Sequence, residues 1–158
     1  MHQSGEGPSA SQCGQPDTGS LTHCVGYRAA AVARVVDVPL LGIDGEPNSP
    51  LPEDVVKSVA LPSEQELLLR LADLHSEVHW DRLLFSAKES VYKAWFPLTR
   101  RWLGFKDVRL TIDAESRAFT ATLLVDGAKI DGGTPLDILQ GLFCLHNGLI
   151  ATTSFQLT

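Results

Sequence analysis

Three features of the sequence predict an α+β domain, a mainly antiparallel sheet packed against two helices. Apolar residues alternate with period two toward both ends of the chain. They recur at helical spacing through residues 63–96, and short polar turns separate the segments. No internal repeat is evident.

Residues 1–19, rich in Gly, Ser, Pro and Gln, bury almost nothing and read as a disordered lead-in, which leaves 20–158 as the domain. The segments "CVGYRAAAVARVV" and "PLLGIDGEP", split by Asp37 and Pro39, are expected to pair as strands, although the alanine run also suits a helix. "NSPLPEDVV" reads as a Pro-rich loop. A first helix is expected over "LPSEQELLLRLADLHSEVHW", with Ser63 as cap and Glu66 completing a capping box; Leu67, Leu68, Leu71 and Leu74 form its apolar stripe. A second helix runs from Asp81 to Phe96, where Pro97 disfavours continuation, and Leu84, Ala87, Val91, Ala94 and Trp95 make its buried face. "DVRLTID" and "AFTATLLVD" then alternate around the turn "AESR", and "GLFCLHNGLIATTSFQLT" gives two more strands turning at "HNG".

The formal net charge is −6 over 158 residues, so no global basic field favours a nucleic-acid partner. Cys13, Cys24 and Cys144 are odd in number and irregularly spaced, which suits a reducing cytoplasm better than a disulfide framework. The first residues lack the apolar core of a signal peptide, and no apolar run approaches the roughly 20 residues of a membrane span.

Two motifs carry chemistry. In "FSAKESVYKAWF", Glu89 and Lys93 are four apart and share a helix face with Phe85 and Phe96; Lys88 lies about 100° round the axis, at the edge of that face. This is either half of an active site or an i,i+4 ion pair worth about 0.3–0.5 kcal/mol. In "GIDGEP", Asp44 and Glu46 are two apart on an extended segment, so both carboxylates point to one side, about 6.6 Å apart along the strand, and Ile43 points to the other, toward a core. Hard oxygen ligands beside a phosphate suit Mg²⁺; a polar turn after a strand is the plainer reading. Three carboxylates and two lysines together suit a metal-assisted transfer at a diphosphate. His75 and His79 are expected to be an exposed helix face, since no third metal ligand accompanies them.

The motifs in this order, "GIDGEP" and then "FSAKESVYKAW", resemble the signatures of the 4′-phosphopantetheinyl transferases. "GSLTHCVGYRAAAVA" and "KAWFPLTRRWLGFKDV" are similar to the large, two-lobed type, in its actinobacterial and enterobactin-synthase component D branches. The resemblance covers roughly residues 19–158. It implies transfer of the phosphopantetheine arm of coenzyme A to a serine of an apo acyl or peptidyl carrier protein, with release of adenosine 3′,5′-bisphosphate. It implies that Asp44, Glu46 and Glu89 hold Mg²⁺ or Mn²⁺, and that Glu89 is also the favoured base, directly or through water. Lys93 neutralises the diphosphate, with Lys88 assisting. His23, with Ser20 as neighbour, contacts a coenzyme A phosphate, and Gly45 takes the variable place of the metal motif. Arg100, Arg101, Lys106 and Arg109 form the expected docking patch for the acidic carrier, the alternative being a solvated loop over buried Trp102 and Phe105. Carriers of polyketide, nonribosomal peptide, siderophore and fatty-acid synthesis all fit.

Measured against the two-lobed type, the chain is expected to lack most of the N-terminal lobe. The resemblance then implies a homo-oligomer that restores the second lobe, a chain that binds coenzyme A poorly, or an inactive carrier- or nucleotide-binding module.

Overall fold

The structure, a computed structural model, describes residues 16–158. Most of the lead-in, with Cys13, lies outside them, but order begins before residue 20. Asp17–Cys24 is strand β1, and it pairs antiparallel with β2, Tyr27–Arg34. The chain reverses at Gly26, whose φ of 77° suits a residue without a side chain. "CVGYRAAAVARVV" is therefore not one strand facing "PLLGIDGEP". It contains a hairpin turn, and its alanines alternate in burial as a strand.

Strand β3, Leu40–Pro47, instead joins a five-stranded antiparallel sheet with β4 (Val108–Asp113), β5 (Ala118–Leu123), β6 (Ile138–His146) and β7 (Leu149–Gln156), in the order β3-β7-β6-β5-β4. The β6–β7 turn is Asn147-Gly148, with φ of 48° and 75°, as the "HNG" signal predicts. At the other tight turn, Asp113 Oδ1 accepts from the amides of Glu115 and Ser116.

Between β3 and β4 the chain forms three helices rather than two. Helix α1, Glu53–Val59, occupies the expected Pro-rich loop; Pro52 precedes it, and Glu53 and Asp54 favour its first turn. Helix α2 is Pro62–Leu74. Its entry is closed by Glu64, whose Oε2 accepts from the Leu61 amide at 2.8 Å, not by Ser63 and Glu66. Leu68 and Leu71 are buried, but Leu74, at the frayed end, is exposed. Helix α3, Trp80–Thr99, runs through Pro97 and stops at Arg100, which takes a left-handed φ of 55°. Pro97 removes one backbone bond, yet the last turn is held by the Arg100 amide on the Phe96 carbonyl and by Trp95 Nε1 on the Arg101 carbonyl. A 3₁₀ turn at Phe105–Asp107 leads into β4.

Helix α3 lies across one face of the sheet, and its face of Leu84, Ala87, Val91, Ala94 and Trp95 is buried as predicted. It comes closest at Gly42, where a methyl group would overlap the Ser90 carbonyl. Ser86 meets Thr152, and Ser90 meets Ser154, through buried hydroxyl bonds of 2.9 and 2.7 Å. The hairpin covers the open edge of β3 with side chains instead of a ladder: the Ile43 amide donates to Ser20 Oγ (2.9 Å) and the Gly45 amide to Thr22 Oγ1 (3.0 Å). Ile43 does face away from Asp44, but that side is the half-buried outer face of the sheet; the core lies on the side of Asp44, under α3.

Candidate active site

The close approach at Gly42 brings the two charged motifs together. Lys93, on α3, donates to the Ile43 carbonyl and to Asp44 Oδ1, both at 3.0 Å. Asp44 is 6% exposed, and its second oxygen, Oδ2, is buried with no hydrogen-bond partner. Burial pushes its carboxyl above the ordinary range, against the pull of Lys93. Glu46 is raised by burial and then by the charge of Asp44, with Arg82 opposing. Arg82 Nη1 lies 3.3 Å from Glu46 Oε2, while its Nε and Nη2 donate to the Ser49 and Pro50 carbonyls. Glu89 is likewise raised by burial first and by Asp44 second. Three carboxylates that repel one another in a half-buried place form an unfavourable set without a cation.

The donor set fits a hard divalent ion. It offers only oxygens, one of them buried and unpartnered, and excess negative charge. Among the described residues no three such side chains already stand around one point. Lys93 and Arg82 occupy the acids instead, so an arriving ion would have to displace part of those contacts.

A cleft of about 850 Å³ opens beside Asp44 and Lys93 and runs along the hairpin past Thr22, His23 and Arg28. His23 is exposed on the hairpin's outer face, directly across from Arg28. Ser20 points the other way, where its hydroxyl braces β3. Gly45 also lies away from the cleft, on the side of β3 opposite Asp44, against the Tyr27 ring. A smaller cavity of about 140 Å³ lies on another side of Glu89, lined by Tyr92, Trp102, Gly104 and Phe105.

Lys88 does not join the cluster. It is 2% exposed, and its ammonium donates to the Val59 carbonyl (2.9 Å), Glu64 Oε2 (2.7 Å) and the Phe105 carbonyl (2.8 Å), which uses all three protons. Glu64 Oε1 in turn accepts from the Leu110 amide. The pair ties α1, α2, the 3₁₀ turn and β4 to α3, and the expected role of Lys88 at phosphate is replaced by a structural one.

The histidines separate as well. His75 caps α2, and its carbonyl accepts from Trp80 Nε1, while His79 precedes α3, so they share no helix face. In the basic patch, Arg101 is engaged with the Asp126 and Ala128 carbonyls and stacked on Trp95, whereas Arg100, Lys106 and Arg109 are exposed. Trp102 is 76% exposed rather than buried. Sequence reasoning missed Arg28, Arg82 and Glu64. A turn assigned at Val25-Gly26 would have set Arg28 opposite His23; nothing local marks the other two.

With this geometry, comparison with known families identifies the class. Residues 40–132, which contain both charged motifs, match the model of the 4′-phosphopantetheinyl transferase superfamily, and the chain belongs to that superfamily. Among individual relatives, it is 54% identical over 134 residues to the 4′-phosphopantetheinyl transferase Svp of Streptomyces mobaraensis, a match covering 85% of this chain and 54% of Svp. It is 50% identical over 141 residues to Npt of Nocardia iowensis and 45% identical over 138 residues to PptT of Mycobacterium tuberculosis, both also named 4′-phosphopantetheinyl transferases. Those matches cover 85% of this chain each, and 62% and 60% of the relatives, so the chain spans little more than half the length of the proteins it resembles.

Proposed function

We propose that this chain carries the reacting centre of a Mg²⁺-dependent 4′-phosphopantetheinyl transferase acting on coenzyme A and an apo carrier protein. The observation that carries the reading is that two distant segments bring Lys93 onto Asp44, whose second oxygen is buried and unpartnered, with Glu46 and Glu89 near enough for the Asp44 charge to raise both. Asp44, Glu46 and Glu89 would hold the ion; bound there, it would supply Lewis-acid neutralisation of the coenzyme A diphosphate. Mn²⁺ satisfies the same oxygen donors.

Glu89 accepts the proton of the carrier serine, directly or through one water, as the serine oxygen forms its bond to the phosphorus that bears pantetheine. The bond from that phosphorus to the bridging oxygen breaks, and the electron pair leaves with adenosine 3′,5′-bisphosphate. Lys93 already reaches the edge of the site and stabilises the charge gathering on that leaving group. The trough of Tyr92, Trp102 and Phe105 beside Glu89, about 140 Å³, suits part of the slender, uncharged pantetheine arm. Arg100, Lys106 and Arg109 suit an acidic carrier surface; Arg101 is left out because its guanidinium is already engaged. Such a reaction belongs in the cytoplasm, and no helix among the described residues is long and apolar enough to cross a membrane.

The test is incubation of the chain with coenzyme A, Mg²⁺ and an apo carrier, read by intact mass. Addition of one phosphopantetheine to the carrier, lost in Glu89→Ala, is expected. Carrier binding without addition would favour a binding module instead.

A further inference from the structure

Arg82, in the first turn of α3, is a second cation set among the acids, and it is held quite differently from Lys93. Arg82, Ser86, Glu89 and Lys93 follow one another at steps of four, three and four, so they form one stripe of the helix. Lys93 holds Asp44 and Arg82 lies against Glu46, with Glu89 between the two cations along the stripe. The guanidinium takes its place without help from Glu46. Its Nε donates to the Ser49 carbonyl at 3.0 Å and its Nη2 to the Pro50 carbonyl at 3.2 Å. The segment carrying those carbonyls is itself stitched to the start of α3. Asp81 Oδ2 accepts from the Leu51 amide (2.8 Å), and Asn48 donates to the Glu77 carbonyl (3.0 Å) and accepts from the His79 amide (2.9 Å). The remaining arm, Nη1, reaches Glu46 Oε2 alone, at 3.3 Å, longer than the roughly 2.7–2.9 Å of a full charge-assisted bond. A fixed guanidinium that touches one oxygen loosely steers a long carboxylate side chain more than it neutralises it. Carboxylates that ligate metals are oriented by such hydrogen bonds from outside the coordination shell.

We propose that Arg82 is a positioning residue for the metal ion: clamped on the Ser49 and Pro50 carbonyls, it holds Oε2 of Glu46 and leaves Oε1 for the cation. This rests on the metal reading above and concerns what makes that site tight; Arg82 itself acts through Glu46 alone. Its charge and its fork pull in opposite directions, which gives the inference a sign. As a bare positive charge Arg82 repels a divalent ion, so its loss would tighten metal binding. As a clamp it sets the direction of a ligand, so its loss weakens binding.

The experiment is a Mn²⁺ titration, with coenzyme A present, of the wild-type chain, Arg82→Gln, Glu46→Gln and the double variant, read by electron paramagnetic resonance. Arg82→Gln should weaken Mn²⁺ binding about tenfold or more, and Glu46→Gln by a similar factor. In the Glu46→Gln background, Arg82→Gln should add nothing further, because the carboxylate it steers is gone. Metal-free thermal midpoints separate any loss of folding from loss of the site. Arg82→Lys keeps the charge without the planar fork and should show the same weakening to a smaller degree. It carries the test should Arg82→Gln not fold. Unchanged or tighter Mn²⁺ binding in the folded Arg82 variants, or equal weakening with and without Glu46, overturns this inference alone. A wild type that takes up no Mn²⁺ overturns it together with the metal reading.

Discussion

Asp44 faces a demand that no other described residue meets: a nearly buried carboxylate with one oxygen on Lys93 and the other without a hydrogen-bond partner. Its neighbours Glu46 and Glu89 share the difficulty, and all three are raised above the usual carboxylate range. For a group whose pKa is higher in the folded state, its share of stability is full below the unfolded value and is lost as pH rises through the folded value. The metal-free protein should therefore lose stability from this cluster between mildly acidic and neutral pH. Thermal melts should show Glu46→Gln gaining on the wild type as pH rises toward 7.5, and Mg²⁺ should raise the wild-type midpoint more at pH 7.5 than at pH 5. At Gly42 the constraint is steric. Gly42→Ala drives a methyl into the Ser90 carbonyl, and a loss of about 1–3 kcal/mol in denaturant titration is expected, with weaker Mg²⁺ binding as α3 is pushed off β3.

Helix α3 shows how much of an element the sequence can disclose. Its apolar spacing correctly gave the buried face, and the i,i+4 relation set Glu89 and Lys93 on one side, from which Lys93 reaches β3. It did not give the fate of Lys88, because helical geometry states an angle and not which neighbour waits there. That neighbour is Glu64, 24 residues earlier, and only the tertiary fold brings them within 2.7 Å. The same carboxylate explains why the start of α2 was misread, since it is drawn back to the Leu61 amide while Ser63 caps nothing. Removing one partner of such a pair strands a buried charge. Lys88→Met should cost about 3–5 kcal/mol, and adding Glu64→Gln should restore part of it, measured as a double-mutant cycle by chemical denaturation. The pass of α3 through Pro97 has a similar origin: Trp95, Thr99 and Arg101 fasten the last turn from outside the local backbone pattern.

On the scale of the whole molecule, the α+β class and the β4–β7 meander were legible because alternation and turn chemistry act over a few residues. The partner of β3 was not, since β7 lies a hundred residues away, and neither was the hairpin beside it, which touches β3 through two hydroxyls. That hairpin nonetheless forms one wall of the cleft and brings His23 and Arg28 to the site. Both charged motifs were visible in the sequence, and the fold supplies what joins them: a glycine that lets a helix approach, and a sheet edge fixed by Ser20 and Thr22. The most direct test of the account is a Mn²⁺ titration with coenzyme A present, the free ion being followed by electron paramagnetic resonance. One site on the wild-type chain that disappears in Asp44→Asn is the predicted result. Equal Mn²⁺ uptake by both proteins, or none by the wild type, would contradict it.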